Sequence, residues 1–444
     1  MQITIHRGID QIGGCITEIS TADTRIFIDM GDNLPGNGEP LSEEEKTQLV
    51  DDLFQHNKRQ YEAVFFTHSH SDHVGMLHLI PQSIPLYMSQ GTYDVLHIKQ
   101  EIGLKMKEYG STVSDNHSVS SDPAMMIERL DACSTWQRHT PGLIPSPITI
   151  GNIKVTPYFV SHSSYDSSML LIEAEGKKIL HTGDYRGHGY LSGELLPTLE
   201  EHIGQVDYLI TEGTMLAKKD INETESVISD RMYDVMGSFK YVFVLVSSTD
   251  VERLAAVDSA TKRRMRMLVS CSLTYNRMLE YFKDKTNLVD RGICDFNFYK
   301  YSLSKESTKL ISKMRREGFS MLVGPQYGER VQQIRSHFDP AQTLLIYSSW
   351  DGYYKIPEQV ALNPAYKEFR ELFSYVIDLH TSGHADAATI TKVIKAVSPR
   401  EGIIGIHKPE NSSLTSLDLP EGLKAKIIPE NTQPDCVTIQ YKLK

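Results

Sequence analysis

Short apolar runs separated by polar turn residues set the rhythm of the first half of the chain. Ile3-Thr4-Ile5, Arg25-Ile26-Phe27-Ile28, Ala63-Val64-Phe65-Phe66, Ile153-Lys154-Val155, Met169-Leu170-Leu171-Ile172, Lys178-Ile179-Leu180 and Tyr208-Leu209-Ile210 each end near Gly, Asp, His or Ser. Their β-branched and aromatic content predicts strands. Between Tyr93 and Ile127 the pattern turns helical. From residue 213 to 375, strand runs such as Tyr241 to Val246 alternate with helical stretches of about 10–15 residues, the βαβ order of a parallel sheet. Short strands then return: Tyr375-Val376-Ile377, a helix over roughly 386–397, and a strand from Gly402 to Ile406. The pattern predicts an α/β protein in which one domain (1–212 and 376–444) is interrupted by an inserted α/β domain (213–375).

Composition narrows the function. A chain of 444 residues exceeds one hydrophobic core, in keeping with two domains. A hydrophobic fraction of 40% and a charged fraction of 23% describe a soluble globular protein. No apolar run approaches the roughly 18 residues of a membrane span, and the start, Met-Gln-Ile-Thr-Ile-His, predicts a first strand and no leader. The five cysteines, Cys15, Cys133, Cys271, Cys294 and Cys436, are odd in number and form no C-x-x-C pair. This predicts a cytoplasmic protein and excludes a cysteine zinc knuckle. A bound metal must therefore be held by His, Asp or Glu. The net charge of −11 excludes a chain that is basic overall, although a nucleic-acid site needs only a local groove. Two basic clusters, Lys262-Arg263-Arg264 with Arg266, and Lys313 with Arg315-Arg316, read as solvated helix faces.

The apolar run Ala63 to Phe66 leads into Thr67-His68-Ser69-His70-Ser71-Asp72-His73. Three histidines and an aspartate within six residues at a strand end are not a packing pattern. His68 and His70 are two apart, so an extended backbone points them the same way, and Asp72 and His73 fall on the turn into a helix. Neutral imidazoles and a carboxylate suit zinc, and this spacing can serve two adjacent metals.

H-x-H-x-D-H after an apolar strand resembles the signature of the metallo-β-lactamase superfamily, which implies an αββα sandwich with metals at one edge of its two sheets. The rest of that pattern is present in order: Asp29 in Phe27-Ile28-Asp29-Met30-Gly31, His162 in Val160-Ser161-His162-Ser163, and Asp184 in Thr182-Gly183-Asp184. The inserted domain resembles the β-CASP branch of nucleic-acid-processing nucleases, which includes ribonuclease J. Three further matches follow it: Glu212 in Thr211-Glu212-Gly213-Thr214, His384 in Thr381-Ser382-Gly383-His384-Ala385, and His407 after Gly402 to Ile406. Where the family continues with Gly-Glu after the last histidine, this chain has Lys408-Pro409-Glu410. It has Tyr347-Ser348-Ser349-Trp350-Asp351-Gly352-Tyr353 where the family has Gly-Ser-Gln-Gly-Glu, and it ends soon after His407, where ribonuclease J continues into a further domain.

The resemblance implies a two-zinc phosphodiesterase acting on RNA or single-stranded DNA as an exo- or endonuclease, with manganese as an alternative metal and a homodimer as a possible assembly. It implies His68, His70 and His162 on one zinc, Asp72, His73 and His407 on the other, and Asp184 bridging. His384 would donate a proton to the leaving oxygen, Glu212 would orient it, and Asp29 would fix a ligand histidine. Ser247, Ser248 and Thr249 precede an expected helix, with Thr249 and Glu252 as a capping box. With Arg253, Ser382, Gly383 and His384 they are the expected phosphate contacts. His181 and His380 sit beside motif residues. His6, His56, His78, His97, His117, His139, His188, His202 and His337 read as surface or structural. Two other functions compete: a small-molecule metallohydrolase acting on a thioester, lactone or related ester, and a non-catalytic binding subunit.

Overall fold

The computed structural model describes residues 1–38, 40–108, 122–137, 145–218, 221–301, 308–429 and 437–440. Cys436, His117 and His139 lie outside these residues. Two sheets face each other. The first runs in the order Val437–Gln440, Gln2–Arg7, Ile16–Ser20, Thr24–Ile28, Tyr61–Phe65, Leu86–Ser89, Ser134–Trp136. The second runs Gly402–Ile406, Tyr208–Glu212, Lys177–His181, Ser168–Ala174, Ile153–Phe159, Ile148–Ile150.

Alternation along each strand explains why both faces are covered. Ile26, Ile28 and Phe65 pack between the sheets against Ile172, Ile179 and Ile210. Phe27, Val64 and Phe66 point the other way, onto Val50 and Phe54 of helix Glu43–Gln55. The outer face of the second sheet takes Ile390, Val393, Ile394 and Val397 of helix Ala387–Val397. The result is the expected αββα sandwich. Among the described residues, no helix is long and apolar enough to cross a membrane.

A third, all-parallel sheet follows in the order Tyr299–Lys300, Met267–Ser270, Phe319–Val323, Tyr241–Leu245, Thr343–Tyr347, Val376–Asp378. Its last strand corrects the expected boundary at 375/376. Val376 pairs with Leu345, so Val376–Asp378 closes the inserted sheet and does not reopen the sandwich. Leu379 still packs in the inserted core, and Ala385 is already in the sandwich core. A three-residue strand has no periodicity that tells one sheet from the other. The basic cluster at Lys262 to Arg264 is engaged locally: Lys262 pairs with Asp295 at 2.8 Å, and Arg263 with Asp230 at 2.7 Å.

A buried ion cluster ties the inserted sheet to the sandwich. Arg186 contacts Glu225 Oε1 and Asp250 Oδ1, each at 3.0 Å, and Glu252 Oε1 at 3.4 Å. Arg253 forms a fork on Glu225, Nε to Oε2 at 2.7 Å and Nη2 to Oε1 at 3.0 Å. Arg186, Glu225 and Arg253 are at most 1% exposed. Truncating Glu225 to Ala removes the carboxylate fork of Arg253 and one of the three carboxylates on Arg186, and breaking such a cluster from one side costs about 3–5 kcal/mol. A urea denaturation midpoint should register that loss; a loss below about 1 kcal/mol would mean that the cluster does not hold the two parts together.

Candidate metal centre

Strand direction brings the site together. Lys177–His181, Tyr208–Glu212 and Gly402–Ile406 are parallel neighbours, and Ile153–Phe159 runs the same way two strands over. Their C-terminal ends deliver Asp184, Glu212, His407 and His162 to one edge. Tyr61–Phe65 delivers His68 and His70 from the facing sheet. His70 is the extended N-cap of the short helix Ser71–Val74, which turns Asp72 and His73 inward. Gly183, at φ +54°, makes the turn before Asp184.

Asp184 Oδ2 is the hub. It lies 3.2 Å from His73 Nε2, 3.5 Å from His407 Nε2, and 3.8 Å from both His68 Nε2 and His162 Nε2. His162 Nε2 and His70 Nδ1 are 3.2 Å apart, and His407 Nε2 is 3.0 Å from Asp72 Oδ2. The ligand atoms fall into two sets, His68/His70/His162 and Asp72/His73/Asp184/His407, each within 4.8 Å of one another. The structure thus brings all seven residues of the expected ligand set together.

The donor chemistry fits divalent cations. His68 Nε2 and His73 Nε2 are buried without a hydrogen-bond partner, a state that costs about 1–3 kcal/mol per group unless something partners the nitrogen. Burial and neighbouring imidazoles push the His68 and His162 pKa values well down, and burial pushes His70 down to about 4. These rings are therefore neutral, the form that binds metal. Burial opposes a proton on His73, but Asp184, Asp29 and Asp72 outweigh it and raise its pKa. A cation there would take the place of that proton.

Supporting residues set the ring orientations. Asp29 accepts from Thr67 N at 2.8 Å, Thr67 Oγ1 at 2.9 Å and His73 Nδ1 at 2.7 Å, which leaves His73 Nε2 facing the hub. It does so from φ +62°, a strained conformation for a residue other than glycine. His384 Nδ1 lies 3.1 Å from Glu212 Oε2. Glu212 in turn accepts backbone N–H bonds from Tyr185 at 3.1 Å, and from Ala385 and Thr214 at 3.3 Å. Burial opposes protonation of His384, yet Glu212 and Asp184 prevail and lift its pKa to about 9.

The loop carrying His384 is gripped at three successive carbonyls. Arg253 Nη2 donates to Thr381 O at 3.0 Å, His188 Nε2 to Ser382 O at 2.7 Å, and His162 Nδ1 to Gly383 O at 2.7 Å. A Cβ on Gly383 would sit 2.3 Å from Ser163 Oγ, so only glycine lets the loop come this close. The sequence pattern does not point to Arg186 or Glu225, and it leaves His188 among the bland histidines; no local motif marks any of them.

The expected phosphate turn is corrected in part. Helix Val251–Arg263 is capped by Asp250, whose side chain accepts from Arg253 N, and Thr249 with Glu252 forms no capping box. Glu252 instead accepts from Leu191 N at 3.0 Å and from Ser161 Oγ. The Arg253 guanidinium is engaged by Glu225, Ser348 and Thr381. Ser247 is exposed and Ser248 half-buried, whereas Thr249 is buried.

The chain matches the Beta-lactamase superfamily domain over residues 47–237. A crystal structure of a protein of unknown function from Enterococcus faecalis V583 shares the fold at a TM-score of 0.71 and 19% identity, covering 99% of both chains. The chain thus carries a beta-lactamase superfamily domain in that stretch. The chain is also similar to several ribonuclease J proteins, at 21–27% identity. It is 25% identical over 232 residues to an RNase J-like protein of Methanocaldococcus jannaschii, covering 52% of this chain and 47% of that one. It is 25% identical over 287 residues to Ribonuclease J of Helicobacter pylori strain J99, covering 63% and 36%. Ribonuclease J of Mycobacterium tuberculosis aligns over 426 residues at 21% identity, covering 92% and 68%. The chain thus spans less than half the length of the first two.

Asp29→Ala removes the acceptor for His73 Nδ1 and Thr67 while sparing every ligand. Loss of such an orienting carboxylate lowers metal affinity about 10- to 100-fold. Competition against a chelator should show that drop; unchanged affinity would mean that Asp29 does not orient the ligand.

Proposed function

We propose that this protein is a metal-dependent nuclease that hydrolyses phosphodiesters in single-stranded nucleic acid, foremost RNA, using two divalent cations, zinc or manganese. The reading is carried by one observation: a buried carboxylate, Asp184, that lies within 3.8 Å of imidazole nitrogens from both sets of ligand atoms, two of those nitrogens being unpartnered. Two cations held there would supply hydroxide at neutral pH and would neutralise the charge of the phosphoryl group. His68, His70 and His162 would hold one; Asp72, His73 and His407 would hold the other; Asp184 would serve both.

The remaining residues of the chain act around that pair. His384 carries a proton on the open side of the pocket and gives it to the leaving sugar oxygen. Glu212, held by three backbone amides, keeps that ring turned and charged. Ser382, whose Oγ accepts from His384 N at 3.1 Å, shapes the turn. Ser247 and Ser248 remain available to a substrate phosphate. The Ribonuclease J names of the relatives support RNA as the substrate.

Two experiments test the assignment. Asp184→Asn keeps the shape of the hub and removes its charge, so hydrolysis of a single-stranded oligoribonucleotide should fall at least about 10²–10³-fold, as for other key electrostatic groups. Near-normal turnover would overturn the bridging role. His384→Ala should keep the metal content of the parent and lose turnover, whereas His407→Ala should lose one metal. Metal analysis showing the reverse would mean that the two histidines have exchanged roles.

A further inference from the structure

The segment after strand Thr343–Tyr347 carries side chains that the metal centre does not use. Ser348-Ser349-Trp350-Asp351-Gly352-Tyr353 leads into three short helices, Gly352–Lys355, Pro357–Leu362 and Pro364–Glu371. Three half-buried rings gather there. Trp350 and Tyr353 meet edge to face with centroids 5.2 Å apart, and Tyr353 stacks on Tyr366 at 4.2 Å with 16° between planes. The indole lies over Gly352, where a Cβ would come within 2.3 Å of it, so the backbone itself seats the ring.

This cluster stands at the C-terminal edge of the inserted parallel sheet, the edge at which open α/β sheets bind ligands. Arg253 joins it to the metal centre: the same guanidinium donates to Ser348 Oγ at 2.6 Å and to Thr381 O at 3.0 Å, at the root of the His384 loop. On the other side, Gln359 Nε2 donates to Pro35 O at 2.8 Å. The loop holding Pro35 borders Asp72, because a Cβ on Gly13 would lie 2.8 Å from Asp72 Cβ and 3.1 Å from Leu34 Cγ. The three helices therefore roof the pocket from the inserted sheet across to the sandwich. Burial and then the Asp72 carboxylate hold the Tyr353 phenol above its ordinary pKa, in keeping with a place over the Asp72 end of the site. Among the described residues, the Tyr353 hydroxyl has no hydrogen-bond partner.

We propose that Trp350 and Tyr353 form a stacking site for the nucleobase beside the phosphodiester at the metal centre, a reading that rests on the nuclease function above. Every base presents a π-face, so such a site grips a single strand without reading its sequence. Bases inside a duplex are already stacked and offer no free face. Stacking also suits a chain of net charge −11, which has no overall attraction for a polyanion.

The chain has two tryptophans, so Trp136→Phe in the Asp184→Asn background leaves Trp350 as the sole indole reporter. This zinc-loaded protein is titrated with a single-stranded oligoribonucleotide and with the same oligomer carrying abasic residues. The intact oligomer should quench Trp350 emission, and the abasic one should not. Trp350→Ala and Tyr353→Ala should weaken binding of the intact oligomer about 5- to 100-fold, with zinc content equal to that of the parent. Trp350→Phe, which conserves a ring, should keep most of the affinity and so separate lost stacking from lost folding. If the intact oligomer binds the parent while Trp350 emission and the affinities of both alanine variants stay unchanged, the stacking site is overturned. If the parent binds no oligomer, the nuclease reading itself fails and takes the stacking site with it.

Discussion

A carboxylate cannot stay charged in a dry pocket unless positive charge surrounds it. Asp184 is 2% exposed and has imidazole nitrogens at 3.2–3.8 Å on several sides. The pocket meets that constraint by dividing its histidines. His68, His70 and His162 are driven towards the neutral state by burial, while His73 and His384, beside the acids, hold their protons. Neutral donors at one end and carboxylates at the other, with Asp184 between, make a frame for a pair of cations. The layout of the sandwich follows: four strands of one sheet end where this carboxylate needs company, and the facing sheet contributes the rest.

Holding the frame strains the backbone. Asp29 at φ +62° and His407 at φ +49° both end strands in the left-handed region without being glycine. Each is held by bonds that only the assembled site provides. Asp29 is fixed by Thr67 and His73, and His407 by Thr214 Oγ1 at 2.7 Å and Asp72 Oδ2 at 3.0 Å. Strain at such positions persists where the surroundings over-determine the geometry.

The inserted sheet is bound to this frame through apolar contact, with Val95, Ile98, Ile102, Tyr165 and Leu191 in its core, and through buried charge. Arg186 and Arg253 face Glu225, Asp250 and Glu252 in a buried seam, and Arg253 also holds Thr381 O and Ser348 Oγ. One guanidinium thus touches the His384 loop and the root of the aromatic segment. The position of the proposed proton donor and that of the roof over the site are therefore coupled. A buried ion pair is a weak source of net stability but tolerates little displacement, so it is well suited to registering one part against another.

Much of this protein is legible in the chain itself because its signals are local. The run from Ala63 to His73 places a buried strand, a turn and four chemistry-bearing side chains within a dozen residues, and strand periodicity shows which faces are covered. Asp29, His162, Asp184, Glu212 and His407 each follow an apolar run, His384 stands in a Ser-Gly-His-Ala context, and their order along the chain carries the rest of the site. What the chain alone leaves undecided depends on partners distant in sequence. Arg253 looks like a phosphate ligand until Glu225, 28 residues away, and Thr381, 128 residues away, are brought against it. Val376–Asp378 has too few residues to declare its sheet until Leu345 pairs with it. His188 shows no motif, and its hydrogen bond to Ser382 O spans 194 residues. A local pattern decides which side chains face the core, because alternation is set by the backbone. Only the tertiary structure decides which charge a buried charge meets, because that pairing is set by packing between segments that the sequence keeps far apart.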